Sequence, residues 1–192
     1  METKGNVITG LGARSYNLQS FLNGASFVYS KITTLIALKR DEKLLDIGCG
    51  TGTLLFRLRQ RYGSGVLLCG IDPSEGMIGI AQKRNKKLQS QINFQLGVGE
   101  ALPFKNSSFD VVLSSLAMHH LPLETKAQVV REARRVLKPG GRLLITDFGK
   151  PQNLVGSIIA FIARGHAFMK ENIRGTVNEI LKRNRFKKIK VL

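Results

Sequence analysis

The stretch from Leu44 to Asp72 constrains the fold most, because it alternates an apolar strand, a glycine-rich turn, a helix and a second strand that ends in a carboxylate. Its first run, Leu44 to Ile47, is typical of a short buried parallel strand. Three glycines follow at Gly48, Gly50 and Gly52. They let the backbone turn tightly and approach a ligand closely. Asp72 follows the next apolar run about twenty residues after the last glycine, where a doubly wound fold places the acid that binds ribose hydroxyls. The stretch therefore predicts a site for a nucleoside cofactor.

The alternation of strands and helices continues beyond this unit. Strands are predicted at Lys43 to Ile47, Val66 to Ile71, Ile92 to Leu96, Asp110 to Ser114 and Arg142 to Asp147. Helices are predicted within Tyr16 to Leu38 and at Thr53 to Tyr62, Ser74 to Lys87 and Leu123 to Leu137. The sequence Lys138-Pro139-Gly140-Gly141 is a helix stop. This order predicts an α/β fold, a Rossmann-like, doubly wound and mostly parallel sheet with helices on both faces.

The glycine turn departs from the dinucleotide pattern GxGxxG, because Thr53 stands where the third glycine would be. The pattern D-x-G-x-G-x-G, opened by Asp46, instead resembles motif I of the class I S-adenosylmethionine-dependent methyltransferases. The segments Gly97 to Pro122 and Arg131 to Gly149 resemble later motifs of the small methyltransferases related to the ubiquinone and menaquinone C-methyltransferases. This resemblance implies S-adenosylmethionine as the cofactor and methyl transfer as the reaction.

The chain is expected to form a single methyltransferase domain over residues 1–192, because no linker divides it. We divide it into an N-terminal helical cap (1–40), a cofactor-binding core (43–149), a substrate-side insertion (150–175) and a last helix and strand (176–192). The last helix is predicted at Thr176 to Lys182 and the strand at Phe186 to Val191, with Asn184 as a left-handed cap. The seventh strand of the family's sheet is missing from the pattern.

The resemblance also assigns residues to the cofactor. Asp46 is expected to orient the ammonium group of the methionyl part, which would lie over the glycine turn, and Asp72 to accept both ribose hydroxyls. Pro73, Ser74 and Met77 are expected to edge the adenosine. Each assignment has a purely structural alternative: a tight turn for the glycines, a helix N-cap for Asp72 and ordinary core for Met77.

The sequence departs from the family at the residues expected to contact the adenine. Val98 stands where relatives commonly have an aspartate that receives the adenine amino group. Glu100 with the backbone of Gly99 and Ala101 could replace that aspartate, or shape alone could hold the ring. Ser115, at the end of the fourth strand, is the preferred further contact. Tyr16 resembles a tyrosine that covers the cofactor in relatives, although a buried helix aromatic would look the same. The full expected set is Tyr16, Asp46, Gly48, Cys49, Gly50, Thr51, Gly52, Asp72, Pro73, Ser74, Met77, Gly99, Glu100, Ala101 and Ser115.

The resemblance assigns residues to cofactor binding but none to catalysis. Methyl transfer needs mainly alignment of donor and acceptor, and a base only when the acceptor is protonated. His119 and His120 are weak candidates for that base, because the segment His119 to Pro122 also resembles a structural helix start in relatives. The spacing of histidines and cysteines predicts no metal site.

Charge and composition leave the acceptor open. Lys and Arg number 30 against 13 Asp and Glu, a net charge of +17 that would suit a nucleic acid or an anionic membrane surface. The basic residues are spread over helix faces, however, and the insertion is rich in apolar residues. The leading hypothesis is therefore a small, apolar or lipid-like acceptor. The alternatives are an RNA or protein methyltransferase, and a non-catalytic module that binds S-adenosylmethionine.

The location is expected to be cytoplasmic. The chain has two cysteines, both expected to be reduced, and its first residues do not resemble a signal peptide. Its most apolar later run, Leu154 to Ala163, is about half the length that crosses a bilayer, so no transmembrane segment is expected. The oligomeric state is left open.

Overall fold

Five parallel strands form one sheet in the computed structural model, which describes residues 25–147 and 176–190. The strands are β1 (Lys43–Ile47), β2 (Leu67–Asp72), β3 (Asn93–Leu96), β4 (Phe109–Ser115) and β5 (Leu137–Thr146). The helices are α1 (Ala25–Leu35), α2 (Thr53–Tyr62), α3 (Glu75–Leu88), α4 (Leu123–Val136) and α5 (Thr176–Arg183), with short 3-10 turns at Gly63–Gly65 and Met118–His120. The strand order is β3-β2-β1-β4-β5, and each neighbouring pair is parallel.

Helices cover both faces of this sheet, because successive strand residues point to opposite sides. Leu44 of β1 belongs to the apolar cluster that includes residues of α1, α2 and α3. Its neighbour Leu45 belongs to the second cluster, which includes residues of α4 and α5. The two apolar clusters confirm the predicted Rossmann-like α/β fold.

The strand order also positions a ligand site. Strand β1 pairs with β2 on one side and with β4 on the other, so the chain leaves β1 in one direction and later returns to its opposite edge. In open α/β sheets this switch point leaves a crevice at the carboxyl ends of the strands. Here the crevice is bordered by the turn after β1, the end of β2 and the end of β4.

The boundary between α4 and β5 differs from the prediction. The helix ends at Val136, and Leu137 already pairs with Phe109 as the first residue of β5. The ladder register shifts between Phe109 and Val111, and Gly140 has a φ of 79° within the shift. The Pro-Gly-Gly sequence therefore forms a bulge in a ten-residue strand rather than a loop before a shorter one.

The predicted strand at the C-terminus is wrong over the described residues 186–190, which form no strand. Helix α5 extends to Arg183, and Arg185, not Asn184, takes the left-handed conformation with a φ of 60°. Phe186 then packs below the guanidinium of Arg134 in α4, whose Cζ lies 5.6 Å from the ring centroid. This contact uses the one aromatic side chain of the segment, and the lysines that follow it leave little apolar surface for a strand to bury.

Several predictions lie outside the described residues: Tyr16, the start of the N-terminal cap, the apolar insertion and Val191. The division of the chain into four segments therefore stays a prediction. Among the helices that the structure describes, none combines the length and the apolar character needed to cross a membrane.

Candidate functional site

A pocket lies at the carboxyl ends of β1, β2 and β4, at the switch point of the sheet. It contains about 740 Å³ of empty space, a volume that includes its open mouth. Its wall is formed by Ile47, Gly48, Gly50, Asp72, Pro73, Ser74, Met77, Gly99, Glu100, Ser114, Leu116, Ala117, Met118, His120, Leu121 and Val129. Eight of the expected cofactor residues are in this set.

The glycine turn after β1 is fixed by hydrogen bonds to β2. The backbone amides of Gly48 and Cys49 both donate to the carbonyl oxygen of Ile71, at 2.8 and 3.1 Å. Gly48 has a φ of 77°, and a Cβ there would lie 2.6 Å from the Cβ of Ala117. Glycine is therefore required both by the backbone conformation and by the close approach of the segment after β4. Gly48 and Gly50 face the pocket.

The rest of the turn faces the core. A Cβ on Gly52 would lie 2.5 Å from Cζ of Phe94, and the Cys49 thiol packs 2.8 Å from where a Cβ of Gly70 would stand. Thr51 is buried, and its carbonyl accepts a hydrogen bond from Arg84 at 3.0 Å. The structure does not bring Cys49, Thr51 or Gly52 to the pocket wall.

Asp72, at the end of β2, uses both carboxylate oxygens. Oδ2 accepts the Gly50 amide at 2.8 Å and Oδ1 accepts the Ser74 amide at 2.9 Å. Burial raises the pKa of Asp72, and these two bonds partly oppose that shift. The helix cap is not Asp72: the Oγ of Ser74 accepts the Met77 amide and caps α3. Asp72 lines the pocket, where the remaining lone pairs of each oxygen can accept hydroxyl groups.

Asp46 is buried behind the turn, with 2% of its surface exposed, and does not form part of the pocket wall. Burial, and next the charge of Asp72, raise the pKa of Asp46 to about 8. Its Oδ1 has no hydrogen-bond partner among the described residues. A buried polar atom without a partner is uncommon in a folded protein and is what a site for a cationic group would leave.

At the end of β4, the serine on the pocket wall is not the one expected from the sequence. Ser114, which lies on the same side as Val112, lines the pocket, whereas Ser115 does not. The hydroxyls of both serines are buried, and neither has a hydrogen-bond partner within the described part of the chain. The sequence alone did not fix which face of β4 meets the pocket.

The loop after β3 brings Gly99 and Glu100 to the pocket but not Ala101. Val98 is buried in the core and also absent from the wall. A Cβ on Gly99 would lie 2.8 Å from Cγ2 of Ile47 and 3.1 Å from Cγ2 of Val129, so the loop approaches β1 and α4 closely.

The two histidines have different surroundings. His119 is held by Asp147: its Nδ1 lies 2.8 Å from Oδ1, and its backbone amide donates to Oδ2 at 3.0 Å. The two imidazole rings pack together, with centroids 4.0 Å apart, and only His120 lines the pocket. Asp147 was not predicted as a site residue, although a carboxylate directly after a strand at this edge was a usable signal.

The other residues that sequence reasoning missed are apolar. Beyond Ser114 they are Ile47, Leu116, Ala117, Met118, Leu121 and Val129. Except for Val129, which lies in α4, each of them is at the end of a central strand or in the segment directly after β4, and this position was the signal.

A parallel sheet with a glycine turn after β1, an acid at the end of β2 and a pocket at the switch point defines an α/β domain that binds a nucleoside cofactor. Residues 44–141 match a family model described as a methyltransferase domain, and this match covers half of the chain. The chain belongs to this methyltransferase family.

Similar proteins are consistent with this assignment. The chain is 37% identical over 115 residues to the ubiquinone/menaquinone biosynthesis C-methyltransferase of Pectobacterium atrosepticum, a match that covers 59% of this chain and 45% of the relative. It is 35% identical over 120 residues to the 27-O-demethylrifamycin SV methyltransferase of Amycolatopsis mediterranei, covering 62% and 43%. The chain thus spans less than half the length of these two curated relatives.

Among solved structures, the chain is similar to the phosphoethanolamine N-methyltransferase 2 of Haemonchus contortus in complex with S-adenosyl-L-methionine. The TM-score is 0.68 at 25% identity, and the match covers 83% of this chain and 36% of that one.

The motif resemblance implies S-adenosylmethionine as the cofactor, the ligand that the Haemonchus contortus structure contains. The residues present fit it. The ligand is cationic and has a ribose diol, and the pocket wall offers the carboxyl groups of Asp72 and Glu100 and close backbone at Gly48 and Gly50. Behind the glycine turn, Oδ1 of Asp46 has no hydrogen-bond partner among the described residues. A Cβ at Gly48 would lie 2.6 Å from the Cβ of Ala117, so only glycine permits this close approach.

Proposed function

We propose that this chain transfers a methyl group from S-adenosylmethionine to a small apolar acceptor. The observation that supports this most directly is the continuity of the pocket, in which the cofactor edge at Asp72 shares one wall with an apolar surface. That apolar part comprises Leu116, Ala117, Met118, Leu121 and Val129. A flat or hydrophobic molecule would bury its surface there beside the donor.

The cofactor supplies a methyl group on a sulfonium, which is already activated for in-line displacement. The chain's residues then act mainly by binding and alignment. Asp72 would hold the ribose hydroxyls through lone pairs that the Gly50 and Ser74 amides leave free. The apolar wall would exclude water from the reacting atoms.

His120 is the candidate proton acceptor in this proposal. It is the histidine on the pocket wall, and it packs on His119, whose ring is fixed by Asp147. If the acceptor is a phenol, an amine or a carbon acid, an imidazole at this place can remove the proton.

The net charge of +17 is weak support for a nucleic-acid acceptor, because the positive residues that the structure describes do not line the pocket. Among the described residues that line the pocket, none is a lysine or an arginine. A polyanion that delivers a base to the pocket would need cations near the mouth. Two further expectations, the cytoplasmic location and the placing of the insertion on the substrate side, stay predictions.

The test is transfer of a labelled methyl group from S-adenosylmethionine into a cell extract. The label should enter the organic-soluble fraction with the wild type and with Glu179→Ala, a control at an exposed position of α5. It should be lost with Asp72→Ala. Label in RNA or in protein instead would contradict the acceptor class.

A separate binding measurement tests the non-catalytic alternative. Calorimetry with S-adenosylhomocysteine should show binding to the wild type, and a loss of about 2 kcal/mol, roughly thirty-fold, for Asp72→Ala. Binding without transfer to any acceptor fraction would favour a module that only binds the cofactor.

A further inference from the structure

The loop between β3 and β4 is held from outside by two charged residues of α4. The Oε2 of Glu132 accepts the backbone amide of Leu102 at 2.9 Å, and Nη2 of Arg135 donates to the carbonyl of Leu102 at 2.9 Å. Nη1 of Arg135 also donates to the carbonyl of Phe104 at 2.7 Å and to Oδ1 of Asn106 at 3.0 Å. One ion pair thus satisfies both backbone groups of Leu102.

The pair itself is bidentate. Nε of Arg135 lies 2.7 Å from Oε1 of Glu132, and Nη2 lies 2.7 Å from Oε2. The hydrogen bond from Arg135 lowers the pKa of Glu132, and the same contact raises the pKa of Arg135, so both stay charged. The side chains are 31% and 20% exposed, for Arg135 and Glu132. Planar two-point pairing of this kind fixes orientation as well as distance.

The held residue lies two positions after Glu100, which is on the pocket wall. The loop is also fixed before Glu100, at Gly97, and across Glu100, between Ala101 and Val98. The Gly97 amide donates to the carbonyl of Asp72 at 3.1 Å, and the Ala101 amide donates to the carbonyl of Val98 at 3.3 Å. Glu100 therefore lies in a tight turn between two anchors, one on β2 and one on α4.

Val98 cannot accept a hydrogen bond with its side chain and is buried in the core, so Glu100 is the carboxylate that this loop offers to the pocket. We propose that the Glu132–Arg135 pair is a positioning device that places Glu100 to accept the exocyclic amino group of the adenine, and so sets the preference for a 6-aminopurine cofactor. This inference rests on the proposed use of S-adenosylmethionine.

The experiment compares two ligands that differ at that amino group: S-adenosylhomocysteine and S-inosylhomocysteine, which has an oxygen in its place. Binding of each is measured by calorimetry to the wild type, Glu100→Ala and Arg135→Lys. Lysine keeps the charge but cannot make the two-point pair. Arg131→Ala, at an exposed position of the same helix, is the matched control.

The wild type and Arg131→Ala should prefer S-adenosylhomocysteine by about ten-fold or more, as expected for one hydrogen bond to a charged group. Glu100→Ala and Arg135→Lys should each reduce that preference to about two-fold. The double variant Glu100→Ala/Arg135→Lys should lose no more of this preference than either single variant, because both substitutions act on the same contact. Glu132→Gln is the second probe if Arg135→Lys does not fold.

Three results would overturn the proposal. The first is equal binding of both ligands by the wild type. The second is a weakening of both ligands by the same factor in Arg135→Lys, which is what a role in stability alone would give. The third is an unchanged preference in Arg135→Lys. Failure of the wild type to bind either ligand would instead contradict the proposed function itself.

Discussion

Asp72 and Gly50 are joined by a hydrogen bond of 2.8 Å, from the backbone amide of Gly50 to Oδ2 of the carboxylate. The acid at the end of β2 thus holds the turn that follows β1. Since its other oxygen accepts the Ser74 amide, the same side chain also fixes the start of α3. A residue expected to bind ribose therefore also organises the site before any ligand arrives.

Asp72→Asn should weaken the fold as well as the site. An asparagine amide keeps one acceptor but turns an NH₂ group toward a backbone amide, so one buried donor loses its partner. We expect the free energy of unfolding to fall by about 1 to 3 kcal/mol. Urea denaturation measures this, with Glu179→Gln as control; an unchanged midpoint would show that the two amide bonds contribute nothing.

The buried carboxyl of Asp46 should make the fold less stable as the pH rises. Its pKa is about 8 in the folded state and about 3.9 in an unfolded chain. The folded state therefore binds more protons in this window, and the stability contributed by the group is complete below about pH 4 and is lost as the pH approaches 8. The raised pKa of Asp72 has the same sign.

Asp46→Asn should remove the contribution of Asp46 to that slope, which is at most about 1.4 kcal/mol per pH unit. The variant and the wild type should be similar near pH 3.5, and the variant should become the more stable of the two as the pH rises to 7.5, in urea unfolding without ligand. Asp41→Asn, at a position whose side chain is 88% exposed, should follow the wild type. Parallel pH profiles for Asp46→Asn and the wild type would contradict the assignment.

Gly52→Ala should damage folding, although Gly52 belongs to the cofactor motif. Its Cβ would meet the Phe94 ring at 2.5 Å, and its φ is 76°. Overpacking and the strained backbone together should cost about 1 to 3 kcal/mol of unfolding free energy. Gly79→Ala in α3 is the control, because its Cβ would meet nothing within 4 Å and alanine favours a helix. Equal stability of the two variants would disprove the packing argument.

His120→Asn should lower kcat about a hundred-fold or more if the imidazole removes a proton in the reaction. Affinity for S-adenosylhomocysteine should change less than two-fold, and the limb of the pH–rate profile that reports the base should disappear. Asp147→Asn should give a smaller loss, since it acts through His119. A His120→Asn enzyme with unchanged kcat would remove the histidine from the mechanism.

The parts that sequence reasoning predicted well share a local signal. The bounds of β1 and α2 agree with the prediction, because a buried apolar run and a glycine turn mark them in the sequence itself. Gly48, Gly50 and Asp72 lie on the pocket wall for the same reason.

The structure differs from the predictions at residues whose positions depend on contacts with distant parts of the chain. Ser114 rather than Ser115 meets the pocket because the helices above each face determine which side of β4 is open. Leu137 joins β5 because Phe109 offers it a partner across a bulge. In the sequence, Gly52 belongs to the motif expected to contact the ligand. In the structure it packs against Phe94, more than forty residues later, and the sequence alone gives no sign of this contact.

The strand order has a consequence for biosynthesis. The partner on one edge of β1 is β4, which begins about 60 residues after β1 ends. At translation rates of about 5 to 20 residues per second, the buried strand at the centre of the sheet has an open edge for roughly 3 to 12 s on the ribosome. During that interval an apolar segment with unpaired backbone groups is exposed, so the yield of soluble protein should depend on chaperone supply more than the stability of the finished domain would suggest.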